Sequence, residues 1–316
     1  MKVYMPSPRE DWICDVIIDE FKARSRHEFV NEPREADLIF LYAKWIWKHI
    51  PFGLLTSKPV ITTVHHIVPE KTNVNEFIQF NQFTTQYHVP NKHTAAMLKR
   101  FSFDIPVINV PYWINTSRWG AIGDETPVNV DFVVGSFQRD TEGHSIGKDK
   151  RPEPKLEKGP DVFVDIVYKF APGEIMAVIP GWRRNFLIDA LEKYNPIISH
   201  SKLPSNMMNS LYNSLRANDG YYLVTSRYEG GPQAVFEASQ TRTKILSTDV
   251  GIASEILHPD CICSDVDDFV KKIRESLIDH TIDYNYESVQ KFAVDKMVPR
   301  YDDMIEKVYN ESLHKS

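Results

Sequence analysis

The chain has 316 residues, of which 42% are apolar and 25% charged, a composition of ordinary folded proteins and a length sufficient for two domains of common size. A formal net charge of −6 gives no sign of the strongly basic face that duplex nucleic acid requires, so nucleic acid is not an expected partner. Cys14, Cys261 and Cys263 lack CxxC spacing and suit neither a disulfide framework nor a zinc knuckle, and no apolar run approaches the ~18 residues that span a bilayer.

The opening MKVYMPSPRED meets a proline and charges at once, leaving no room for the apolar core of a signal peptide; with the cysteine usage this points to a cytoplasmic setting. A strand is expected at 3–5, then a helix whose Ile13, Val16, Ile17 and Phe21 share one face. Residues 36–43, 59–65, 83–89 and 107–110 read as further strands. The segment 42–52, YAKWIWKHIPF, sets Trp45, Trp47 and Phe52 among Lys44, Lys48 and His49. It reads as a helix start packing its tryptophans into the core, with weak peripheral contact to the cytoplasmic face of a membrane, or stacking on a sugar, as the second reading.

A polar Gly/Pro segment at 119–128, WGAIGDETPV, has nothing to bury and reads as a linker. Beyond it, strands at 131–136, 174–179, 197–200, 221–226 and 244–248 alternate with helices from 159, near 186–194, near 205–216 and from 232. The basic-rich stretch 138–158 reads as a long loop that orders on binding, and the chain ends in the helical VPRYDDMIEKVYNESL. Short β-rich runs alternating with helices predict an α/β protein with parallel sheets.

The most informative stretch is 221–239, in which the apolar YYLVTS runs into RYEGG and then PQAVFEAS. Pro232 stands where a helix would begin, since its missing N–H would be unpaired there. The free amides of Gln233 and Ala234, with the helix dipole, form an anion site, and Gly230 and Gly231 let a ligand approach the backbone. Glu229 precedes the helix and Glu237 lies about two turns further on, so the two carboxylates can meet different parts of one extended ligand.

This E-x7-E pattern, followed by LSTDVG, resembles the retaining glycosyltransferases of family 4. The resemblance implies a GT-B architecture of two Rossmann-like domains facing each other across a cleft. An acceptor domain would occupy 1–122, completed by a C-terminal helix at about 299–316, and a donor domain would occupy 128–298. It places Glu229 at the donor sugar, Glu237 at the ribose, and Gly230, Gly231, Gln233 and Ala234 around the diphosphate.

A second match lies after the linker, where VGSFQRD and then KGPDVFVDIV resemble the family's Arg and Lys that neutralise the diphosphate. Arg139 and Lys158 take those places, and because the gap between them is longer than usual, Lys155 and Arg151 compete with Lys158. In the first half, His65 of VITTVHHIVPEK stands at a strand end, where the family has a histidine facing the donor sugar. The family's glycine pair after the first strand is replaced by PSPREDW, which leaves Ser7, Arg9 and Glu10 as acceptor candidates and Asp11 as a helix cap.

The implied reaction moves a hexosyl or other glycosyl group from a nucleotide-diphosphate sugar to a hydroxyl of a glycan or lipid-linked acceptor, with retention. Glu229 and His65 are the catalytic candidates, and no metal or cofactor is expected beyond the sugar nucleotide as co-substrate. A phosphorylase or epimerase of the same fold, or a sugar-nucleotide or glycan-binding protein without efficient transfer, stays open at this point.

Overall fold

The computed structural model describes residues 1–10, 13–102, 104–123, 128–142 and 153–314. Asp11 and Arg151 lie outside these residues. The chain forms two compact units, Met1–Tyr112 with the chain from Val294 on, and Trp113–Ala293.

The first unit holds a sheet of β1 (Lys2–Tyr4), β2 (Glu28–Phe29), β3 (Leu38–Leu41), β4 (Val60–Thr63), β5 (Gln86–Val89) and β6 (Val107–Asn109), in the order β2-β1-β3-β4-β5-β6. Every pairing is parallel. β3, β4 and β5 are buried along their whole length, which is why β3 and β4 read as runs without polar alternation; β5, QYHV, alternates yet is buried on both faces. β2 escapes that pattern because it is a two-residue edge strand, held by pairing with β1 rather than by burial.

The core under this sheet gathers Ile39, Leu41, Leu55, Val60, Phe80 and Tyr87, with Trp47 packed against it. Segment 42–52 is a 3-10 helix at Lys44–His49 followed by the Phe52–Ser57 helix. Trp47 packs edge to face with Phe80 and tilted against Phe83, as expected of a core tryptophan, whereas Trp45 is exposed. The Val294–Leu313 helix buries Tyr301 against Phe21 and Phe40, and its Asp302 accepts from Ser25 Oγ and from the backbone N–H of Arg26.

The second unit holds β7 (Phe132–Gly135), β8 (Ile175–Ile179), β9 (Ile197–Ile198), β10 (Tyr221–Val224) and β11 (Lys244–Ser247), in the order β11-β10-β7-β8-β9, again all parallel. The chain winds outward from β7 through β8 to β9, then crosses back to lay β10 on the other side of β7. Between β7 and β10 the winding therefore reverses, the point at which open parallel sheets bind ligands beyond their carboxyl ends.

Part of the polar segment expected as a linker is fastened to this unit. Gly120 N donates to Asn209 Oδ1 at 3.1 Å, Ile122 N to Asn213 Oδ1 at 2.9 Å, and Arg216 Nη2 to the Ile122 carbonyl at 2.7 Å. Amide and guanidinium side chains of the Ser205–Ala217 helix thus satisfy backbone groups that composition alone leaves to water. Among the described residues, no helix is long and apolar enough to cross a membrane.

Candidate functional site

Three chain segments meet beyond the carboxyl ends of β7 and β10. The first follows β7 and carries Gln138 and Arg139; the second is the 3-10 turn Leu156–Lys158 with Gly159; the third is 225–237. Gly159 is what allows the second to seat on the third. Its φ is +60°, and a Cβ there would lie 1.8 Å from the Thr225 carbonyl oxygen, so only glycine fits. Thr225 Oγ1 donates to the Gly159 carbonyl at 2.8 Å, and the Glu157 carbonyl accepts from Arg227 N at 2.9 Å.

This seating brings Lys158 Nζ to 2.6 Å from Glu229 Oε2, with the two side chains 18% and 10% exposed. Ser226 Oγ lies 3.0 Å from Glu229 Oε1 and 3.1 Å from Gln138 Oε1, while Gln138 Nε2 donates to the Lys158 carbonyl at 2.8 Å. A hydroxyl has one proton to give, so Ser226 serves one of the two acceptors at a time. Lys155 is committed elsewhere, 3.2 Å from Glu157, and burial followed by the charge of Arg139 depresses its pKa. Of the competing lysines, then, Lys158 is the one at Glu229. Arg139 is half-buried and makes no ion pair with any described residue.

Buried Gly230 and Gly231 lead into the Gln233–Gln240 helix. Pro232 is the residue before this helix rather than its first member, with ψ at 123°; proline's fixed φ suits either place. The Pro232 carbonyl accepts from Val235 N at 2.9 Å, and no described residue accepts from the amides of Gln233 or Ala234. Gln233 also anchors the helix start by donating from Nε2 to the Trp113 carbonyl at 2.9 Å. Gly251, with φ +57°, passes under the turn: a Cβ there would lie 3.1 Å from the Glu229 carbonyl oxygen.

Glu237 accepts a hydrogen bond from Tyr212 Oη at 3.0 Å. Burial raises its pKa to about 7, against the opposing pull of the Tyr212 hydroxyl and the Arg118 charge. Tyr212 is locked in an aromatic group with Phe137 and Tyr222, ring centroids 4.9 and 5.1 Å away. Sequence reasoning missed Tyr212, Gln138 and Ser226 as members of this constellation: a buried tyrosine on an amphipathic helix carries no signal that separates it from core.

No family model matches the chain, and no curated protein matches it in sequence. Solved structures match it closely in backbone. Anabaena HepE, determined with UDP, with UDP-glucose and with UDP and glucose, superposes with a TM-score of 0.71 at 12% identity, over 97% of this chain and 99% of that one. Sucrose-phosphate synthase from Thermosynechococcus elongatus superposes with a TM-score of 0.67 at 14% identity, over 97% of this chain and 81% of that one. The lipopolysaccharide outer core galactosyltransferase WaaB gives 0.65 at 10% identity, over 97% and 99%. This chain has the GT-B fold.

In the first GT-B unit, His65 follows β4 and sits among Tyr42, Trp45 and Tyr112, with ring centroids 5.1, 6.0 and 5.9 Å away. Its Nδ1 is hydrogen-bonded to Tyr112 Oη, and its Nε2 lies 3.9 Å from Cys14 Sγ. Burial, reinforced by the neighbouring His66 and His88, drives its pKa down to about 3, so the ring is neutral at physiological pH.

The loop after β1 is held by Asp15, which accepts from Ser7 Oγ, from Arg9 N at 3.0 Å and from Glu10 N at 3.0 Å. Arg9 takes a φ of +56°, the left-handed conformation that a glycine would supply more easily. Glu10 accepts from Trp45 Nε1 at 2.9 Å, so the Ser7, Arg9 and Glu10 candidates lie on one pinned loop after β1. Elsewhere, one group among the described residues has metal-ligand character, His258, Asp260 and His280 in the second unit.

Proposed function

We propose that this protein is a retaining glycosyltransferase that moves a sugar from a nucleotide-diphosphate sugar to a hydroxyl of a glycan or lipid-linked acceptor. The observation that carries the reading is the convergence of Lys158, Glu229 and Ser226 at the β7/β10 reversal, beside a helix whose first amides are free. A lysine and unpaired amides stabilise the charge that develops on a leaving diphosphate. Glu229, with its neighbouring donors, is an acceptor for sugar hydroxyls, and Glu237 for the ribose. The nucleotide complexes of HepE support this assignment by analogy of fold.

In the proposed reaction, the acceptor hydroxyl attacks the anomeric carbon on the face the diphosphate leaves, and the departing phosphate takes the hydroxyl proton. The oxygen–anomeric carbon bond forms as the anomeric carbon–phosphate bond breaks, without a side-chain base. His65, held neutral, donates or accepts one hydrogen bond and carries no charge to the reaction. Ser7, Arg9 and Glu10 are the acceptor candidates, and Arg139 supplies a second cation to the diphosphate. No metal enters the scheme, and a cytoplasmic setting is part of the proposal.

Thermal shift over a panel of UDP-, GDP- and ADP-sugars tests the reading. One donor is expected to stabilise the protein, with the shift lost in Lys158→Ala and Glu237→Ala and turnover persisting in a chelator. No stabilisation by any sugar nucleotide sinks it. Proton NMR of the product reports whether the anomeric configuration is kept.

A further inference from the structure

We propose that His258, Asp260 and His280 form a surface site for a divalent transition metal of the zinc class, independent of the sugar-nucleotide reading. His280 Nε2 lies 2.9 Å from Asp260 Oδ2, and His258 Nδ1 lies 3.6 Å from the same oxygen. One ligand atom from each residue falls within 4.8 Å of the others. Zinc bonds of about 2.0–2.2 Å at tetrahedral angles set ligand atoms roughly 3.3 Å apart, so the 3.6 Å separation is close to that value, the 2.9 Å hydrogen bond must open by a few tenths of an ångström, and the third separation lies within 4.8 Å. An ordinary histidine–aspartate pair accounts for the 2.9 Å contact. His258 Nδ1 is turned toward Asp260 by accepting from its backbone N–H at 3.2 Å, and that bond leaves an unprotonated ring nitrogen 3.6 Å from the same oxygen, with the two rings edge to face at 5.1 Å.

The backbone that presents these side chains is fixed from below. His258 N donates to Asn285 Oδ1 at 2.8 Å, while buried Cys261 is joined to Thr281 Oγ1 at 3.2 Å and to Asn285 Nδ2 at 3.3 Å. Turn 258–261 and turn 279–281 are therefore held together before any ion arrives, and Tyr284 packs edge to face on His258. Two imidazoles and one carboxylate select zinc, nickel or copper over magnesium and calcium, which prefer oxygen. Metal binding needs His280 as the Nδ1–H tautomer and costs His258 Nδ1 its hydrogen bond from Asp260 N. The side chains are 28%, 55% and 56% exposed, so water completes the coordination.

Titration calorimetry of the full chain with ZnCl2 under reducing conditions tests the site. Binding of one ion is expected, weakened at least about tenfold in His280→Ala and in Asp260→Asn, both exposed positions whose replacement leaves the core intact. Cobalt(II) added to the wild type is expected to give the visible absorption of inner-sphere nitrogen coordination, absent in His280→Ala. Binding of equal strength in both variants, a featureless cobalt spectrum, or no zinc binding to the wild type overturns the proposal. Sugar-nucleotide thermal shifts in His280→Ala stay at wild-type values, so the two readings fail separately.

Discussion

Lys158 Nζ and Glu229 Oε2, 2.6 Å apart, are each other's partner in the second unit. A diphosphate is a stronger acceptor for the lysine than a single carboxylate, and a sugar hydroxyl can donate to the carboxylate so released. Ligand binding under this reading exchanges one ion pair for two ligand contacts.

Under this reading Lys158→Ala removes a cation from the diphosphate and leaves Glu229, 10% exposed, without its lysine. Affinity for the nucleoside diphosphate of whichever donor stabilises the protein is expected to fall by about tenfold or more, the effect of a lost charged hydrogen bond. Glu229→Ala is expected to keep that affinity within a few fold but to lose the preference for the sugar nucleotide over the nucleoside diphosphate. Lys155→Ala, whose lysine is paired with Glu157, is expected to weaken binding less than Lys158→Ala does. Calorimetry with the nucleoside diphosphate and the sugar nucleotide separates the three, and equal losses in Lys155→Ala and Lys158→Ala would remove the distinction between the lysines.

Glu237 gives the site a pH dependence of definite sign. Its pKa rises from 4.5 to about 7 on burial, so the folded chain holds a proton that the unfolded chain has lost between those values. Its contribution to stability is present below the lower value and is lost as pH rises through about 7. Hydroxyl donation from a ribose prefers the ionised carboxylate, so sugar-nucleotide affinity moves the other way, rising by about tenfold from pH 6 to pH 8. Glu237→Gln flattens this profile. Tyr212→Phe, which removes the hydroxyl that favours ionisation, shifts its midpoint upward, and an unmoved midpoint would deny Tyr212 a positioning role.

Gly159 is a backbone requirement of the site that shows in stability as well as in binding. Alanine at φ +60° costs about 1–2 kcal/mol in strain, and its Cβ would also overlap the Thr225 carbonyl, 1.8 Å away. Gly159→Ala is expected to lower denaturant stability by more than about 2 kcal/mol and to reduce sugar-nucleotide affinity with it, because Lys158 is carried by the same turn. Gly173, with positive φ but nothing near its Cβ position, is the comparison: Gly173→Ala shows the strain alone.

Much of the fold was legible because its central strands are buried on both faces. LIFL at β3, VITT at β4 and KILS at β11 are continuous buried runs, and periodicity bounds them to within a few residues. β2 was not legible, since a two-residue edge strand has no pattern of its own. The E-x7-E glutamates could be found by spacing on one chain segment. Lys158 could be found from its own motif before Gly159, but its pairing with Glu229, and that of Tyr212 with Glu237, could not, because the partners lie on different chain segments that meet only in the fold. The same holds in the first unit, where Asp15 in the Ile13–Lys22 helix looks like a first-turn acid and instead organises the loop before it.

That loop supplies the remaining prediction. Asp15 receives a hydroxyl and two backbone amides, and those bonds hold Arg9 in a conformation it would not choose alone. Asp15→Asn keeps the size of the side chain but gives up its charge and one of its two acceptor oxygens, so at least one donor among Ser7, Arg9 and Glu10 is left unsatisfied. Hydrogen exchange at the amides of Arg9 and Glu10 is expected to accelerate by at least about tenfold, while the exchange of β3 and β4 amides is unchanged. If the loop positions an acceptor, the variant raises the acceptor KM and leaves donor affinity alone. Unchanged exchange at Arg9 and Glu10 would show that the loop is ordered by something other than Asp15, with the Trp45 to Glu10 hydrogen bond the next to remove.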